Sequence, residues 1–122
     1  MDMKLQLVPI PVTDVDRAKS FYVEQAGFEA EHDHQFTDEI RFVQLTPPGS
    51  ACSIVIGSGI TKAPPGSAEG MLLVVDDIEA VRDGLVGRGI EVGEAQRMDW
   101  GAVHASFQDP DGNRWELQQP AR

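Results

Sequence analysis

The chain has 122 residues, is 41% hydrophobic and carries a formal net charge of −10. That length suits one domain with a real core, and the acidity excludes nucleic acid, whose phosphates require a positive field. No apolar run approaches the roughly 18 residues of a membrane helix, and the sole cysteine, Cys52, allows no intrachain disulfide and suits a reducing cytoplasm.

In chain order, residues 5–12 hold an apolar run with Val8, Ile10 and Val12 on one side, and Pro9 and Pro11 mark it as an irregular or edge strand. Asp14 offers an N-cap and Asp16 a first-turn carboxylate. Val15, Ala18 and Tyr22 then form a stripe at i, i+3, i+7, and Gly27 stops the helix. Three strands are predicted next: Phe28–Phe36, Ile40–Thr46 and Ala51–Ile56, the last entered through Pro47-Pro48-Gly49-Ser50. Cys52 lies in this last run and reads as a small core residue.

A Gly-, Pro- and Ser-rich stretch at 58–69 reads as a linker. The plan then repeats. Gly70–Val75 is a strand, Asp77 caps a helix with Ile78, Val81 and Leu85 in one stripe, and Gly89 ends it before a strand over Ile90–Arg97. Ala102–Gln108 and Asn113–Gln119 form a hairpin around Asp109-Pro110-Asp111-Gly112. The reading is therefore α+β: two tandem βαβββ modules, 1–57 and 70–122, in one domain whose curled mixed sheets surround a shared cleft.

Two phrases resemble the vicinal oxygen chelate superfamily of glyoxalases, extradiol dioxygenases and bleomycin-resistance proteins. One is Val12-Thr13-Asp14-Val15-Asp16-Arg17-Ala18-Lys19-Ser20-Phe21-Tyr22, and the other runs from Phe107 through Asp109-Pro110-Asp111-Gly112-Asn113 to Glu116-Leu117. The resemblance implies a homodimer, sometimes with modules exchanged between chains. It also implies metal ligands on the first and last strands of each module, the first-strand ligand lying seven residues before the helix-capping Asp. Those positions hold Leu7 and Gly70, with Ile54 or Ile56 on the last strand of module one. Glu116 alone matches a family ligand, and one carboxylate cannot hold a metal that needs three or more protein donors. No bound metal and no cofactor are expected.

Other residues can still do chemistry. His32 and His34 share a strand face and are candidate hydrogen-bonding groups, although exposed rim positions would also suit them. Alternation turns His104, Ser106, Arg114, Glu116 and Gln118 to the cleft, with Trp115 and Leu117 in the core. Trp100, on a loop beside Gly101, can stack on a flat ligand or close over the core. Phe36 and Phe42 extend an aromatic wall if they face the same way, and Arg41 meets either an anionic group or a carboxylate such as Glu39. The leading expectation is a metal-free binding protein of the bleomycin-resistance type. It would sequester a small organic molecule, cationic or aromatic, in a cleft lined by Leu7, Ile54 or Ile56, Gly70 and Leu72. The competing expectation is a metal-independent isomerase, cyclase or lyase with His104 and Glu116 as acid and base. A ligand-free accessory subunit would instead show a cleft plugged by its own side chains.

Overall fold

The computed structural model describes every residue from Met1 to Arg122 and contains two modules, each one helix on a four-stranded sheet. Module one comprises β1 (Leu7–Pro9), α1 (Val15–Ser20), β2 (Glu29–Gln35), β3 (Arg41–Thr46) and β4 (Ser53–Ser58). Module two comprises β5 (Met71–Val74), α2 (Ile78–Gly87), β6 (Gln96–Arg97), β7 (Val103–Gln108) and β8 (Arg114–Gln119). The strand orders are β1-β4-β3-β2 and β5-β8-β7-β6. In each sheet the first strand runs parallel to the last, and the other pairs are antiparallel. No helix is long and apolar enough to cross a membrane.

Both helices start as the caps dictate. Asp14 accepts from the Arg17 N–H and Asp77 from the Ala80 N–H, each at 3.1 Å, a contact worth about 1 kcal/mol. After Ser20 the first helix widens into a π-helical turn, Phe21–Gln25, where the Ala26 N–H reaches back to the Phe21 carbonyl. Gly27 and Gly89, at φ 81 and 91, release the chain from the two helices.

Three elements differ from expectation. β1 keeps only three residues, because Pro9 and Pro11 have no N–H to give a ladder. The strand expected over Ile90–Arg97 reduces to Gln96–Arg97 and a single bridge between Val92 and Phe107. Arg82 of α2 donates to the carbonyls of Gly93 (2.8 Å) and Val92 (3.0 Å), so a helix side chain holds this stretch where a ladder was expected. Cys52 is half-buried and lies before β4 begins, held by Ser50 at the turn, so it is not a core residue.

One core spans both modules. Phe21, Tyr22 and Phe28 of module one meet Phe107 and Trp115 of module two, with Tyr22–Trp115 and Phe28–Trp115 ring centroids 5.8 and 5.5 Å apart. A buried polar network sits beside these rings. Tyr22 donates to Asp109 Oδ2 at 2.7 Å, and Trp115 Nε1 donates to the Tyr22 hydroxyl at 3.0 Å. Asn113 Nδ2 donates to the Pro11 carbonyl and to Asp109 Oδ2, both at 2.8 Å. The backbone N–H groups of Asp111 and Asn113 donate to Asp109 Oδ1, and the Ala68 N–H donates to Asn113 Oδ1. Burial first, then the Asp109 carboxylate, pushes the Tyr22 hydroxyl far above its ordinary range, so it remains a donor. The Asp-Pro-Asp-Gly-Asn turn is thus the clasp between the modules. Gly66 of the linker passes so close that a Cβ there would come within 2.2 Å of the Asp111 carbonyl oxygen.

Arg41 resolves differently from Glu39 pairing. Its guanidinium grips Asp33 through Nε (3.0 Å) and a terminal nitrogen (2.8 Å) and reaches Asp16 at 2.7 Å, while Lys19 binds Asp33 at 2.7 Å. This cluster ties α1 to β2. Hydrogen bonds from Arg41, then from Lys19, hold the Asp33 carboxyl well below the usual carboxylate range. Its stabilising contribution is therefore present above about pH 4, the unfolded value, and is lost as pH falls toward the folded one. Because solvent screens the cluster, Asp33→Asn should cost no more than about 1 kcal/mol at pH 7. Urea titrations of the two proteins should converge as the pH drops below 4.

Candidate functional site

The cross-strand register sorts the side chains of each sheet between its helix and its open face. In module one, Val43, Leu45, Ile54 and Ile56 turn toward the helix and join the core. Ile54 and Ile56 therefore do not line the cleft, as expected of one of them. The alternate positions Gln44, Ser53 and Val55 point to the opposite face and are buried as well, and there Gln44 and Thr46 bond to the Ser53 hydroxyl at 3.1 and 2.7 Å. Leu7 pairs with Ser53 and is half-buried beside it. His32 pairs with Gln44, and His34 with Phe42, so both imidazoles share this face. They form an aromatic row with Phe36 and Phe42, successive centroids being 5.7, 5.8 and 6.4 Å apart. Phe36 is 64% exposed.

Module two behaves likewise. Ala105, Phe107, Trp115 and Leu117 are buried under the helix, and the pairs His104–Gln118 and Ser106–Glu116 occupy the other face. Leu72 pairs with Glu116 and Val74 with Gln118; both apolar side chains are exposed. His104 Nδ1 lies 3.1 Å from Glu116 Oε2. Trp100 stands edge-on to His104, centroids 6.1 Å apart and planes at 88°, and is 66% exposed, so it does not close over the core. Two hollows flank Glu116. One, of about 180 Å³, is lined by Glu94, Gln96, Met98, His104 and Ser106; the other, of about 350 Å³, by Glu69, Gly70 and Arg114. A Cβ on Gly70 would meet nothing within 4 Å, so space lies open there.

Residues 4–117 match the Glyoxalase/Bleomycin resistance protein/Dioxygenase superfamily. The chain belongs to that superfamily. TnmS3, an antibiotic binding protein from Streptomyces sp. CB03234, is 38% identical with a TM-score of 0.88, each chain covered to 98%. A superfamily member from Sphaerobacter thermophilus is 31% identical with a TM-score of 0.87, again over 98% of each chain. The uncharacterized protein YetH of Bacillus subtilis (strain 168) is 27% identical over 98% of this chain and all of its own.

Superfamily membership raises the question of a metal, and the donor set answers poorly. Leu7 and Gly70 offer no coordinating atom, Ile54 and Ile56 are in the core, and Glu116 is engaged by His104. No three His, Cys, Asp or Glu side chains come together in a geometry that could hold an ion, and the HxH pair of β2 has no third donor beside it. The residues present do not fit the superfamily's metal centre.

Several residues around the site were not found from sequence. Glu94 lies between the Val92 bridge and β6, where the ladder is interrupted, so alternation could not place it. Glu69 was read as linker, whereas alternation already turned Arg114 toward the cleft. The Gln44–Thr46–Ser53 row was legible in principle, because three polar residues alternate with apolar ones across a hairpin.

Proposed function

We propose that this chain binds and sequesters a small organic molecule, aromatic or cationic, on its open sheet faces without a metal. The observation that carries the reading is the open face of module two. Leu72, Val74 and Trp100 present exposed hydrocarbon there around one His104–Glu116 pair, and hydrocarbon or hydrogen stands where a chelating enzyme needs donors. Glu69, Glu94 and Glu116 around the hollows give a negative local field that favours an amine. TnmS3, 38% identical over nearly the whole chain, is an antibiotic binding protein, which supports an antibiotic or similar natural product as the ligand and resistance as the benefit.

The working form in this reading is a homodimer in the cytoplasm. Large apolar side chains exposed outside the ligand set, Phe36 and Val74 among them, are the kind of surface a second copy covers. The ligand-lining set is then Leu7, His32, His34, Gly70, Leu72, Trp100, His104, Ser106, Glu116 and Gln118. Thermal unfolding with a panel of cationic and polycyclic aromatic natural products tests the reading. A binder at 100 times its Kd adds about 2.7 kcal/mol of stability, whereas a flat response across the panel overturns it. Metal analysis of the purified protein should give far less than one transition-metal ion per chain.

The 3.1 Å contact between His104 and Glu116 favours one second reading, a metal-independent isomerase, cyclase or lyase that uses the pair as acid and base. Turnover of a bound compound, abolished by His104→Ala with its binding intact, would establish it.

A further inference from the structure

Of the buried side-chain nitrogen and oxygen atoms in this chain, one has no hydrogen-bond partner: Nε2 of His104. The other ring nitrogen faces Glu116 Oε2 at 3.1 Å. A carboxylate has no hydrogen to give, so in the neutral imidazole the proton sits on Nδ1 and Nε2 keeps a bare lone pair. Buried acceptors are almost always satisfied, so this one calls for a partner from outside the chain, a water or a ligand's donor.

The surroundings indicate what supplies the hydrogen. Trp100 meets the imidazole edge-on and is itself two-thirds exposed. It precedes Gly101, whose φ of 96 makes the turn tight. The hollow beside His104 holds about 180 Å³, and a cavity of about 150 Å³ is enough for one benzene ring. Ser106, Gln96 and Glu94 line that hollow as well, but none of them reaches Nε2.

Building on the binding reading above, we infer that the ligand is an aromatic compound with a ring-bound hydrogen-bond donor, a hydroxyl or an amine. The donor docks on Nε2 of His104 while Trp100 moves aside and packs on the ring. Glu116 is a positioning residue here, since it fixes the tautomer that makes Nε2 an acceptor. A site built around an acceptor rejects the analogue that lacks the donor.

The experiment compares 2-naphthol with 2-methoxynaphthalene, the same rings with the donor capped, by calorimetry on the intact protein. For the wild type, 2-naphthol should bind at least tenfold tighter, a gap of about 1.4 kcal/mol that matches one hydrogen bond. In His104→Phe the two should bind within twofold of each other, with the ether no weaker than to the wild type. Long-range proton–nitrogen NMR of the wild type gives an independent readout that requires no variant: the Nε2 resonance should move on adding the naphthol and stay still with the ether. Equal binding of both compounds with an unmoved Nε2 overturns this inference and leaves the aromatic-binding reading standing. Failure of both compounds to bind removes the inference and counts against an aromatic ligand altogether.

Discussion

Asp109→Ala should be the most destabilising single change in this protein, lowering the unfolding free energy by about 3–5 kcal/mol. The carboxylate is buried and accepts from Tyr22, from the Asn113 amide and from two backbone N–H groups. Truncation leaves those donors without partners in a site closed to water, at about 1–3 kcal/mol for each one left unsatisfied, partly relieved by local collapse. Tyr22→Phe removes a single hydroxyl and should cost less, about 1–2 kcal/mol, because Asn113 still holds Asp109 Oδ2 while Trp115 Nε1 loses its acceptor. Denaturant midpoints for the two variants decide the order. A fall below 1 kcal/mol for Asp109→Ala would show that the clasp carries little of the module docking.

The second large effect is expected on binding and not on folding. Trp100→Ala should weaken an aromatic ligand by tenfold to a hundredfold, as expected when a stacking surface worth about 1–3 kcal/mol is lost. The midpoint of urea unfolding should change by no more than about 0.5 kcal/mol, because an indole exposed to this extent adds little to the core. The pairing of the two measurements matters. A loss of binding that tracks a loss of stability would place Trp100 in the fold and not at the site.

The contrast between these two residues explains what could be read from the sequence. The module plan was legible because apolar stripes, acidic caps and glycine stops recur with the same spacing, and each is a local property. The facings of His104, Ser106, Glu116 and Gln118 were legible too, since β7 and β8 form a regular hairpin and alternation holds through it. Ile54 and Ile56 were misplaced for want of a local marker. Ile54, Val55 and Ile56 form an unbroken apolar run in a strand buried on both faces, so periodicity could not say which side faced the helix. The row of His32, His34, Phe36 and Phe42 needed the bulge between Ala30 and His32 to set its facing, and no residue pattern announces that bulge. The expected Ile90–Arg97 strand shrinks to a bridge and two residues, and Arg82 of α2 holds the backbone at Val92 and Gly93, a tertiary contact that no local pattern announces.

The clasp also governs how the chain is made. Asn113 reaches a carbonyl on Pro11, 102 positions earlier, and Trp115 stacks among rings whose partners were synthesised long before. Such distant contacts impose a heavy entropic toll and slow the search for the native state. Until module two is made, the sides of Phe21, Tyr22 and Phe28 that meet Phe107 and Trp115 lack those partners, although module one's own sheet already backs them. A nascent fragment ending ahead of Asp109 leaves that half of the shared core open to water, the kind of exposed apolar surface that chaperones engage.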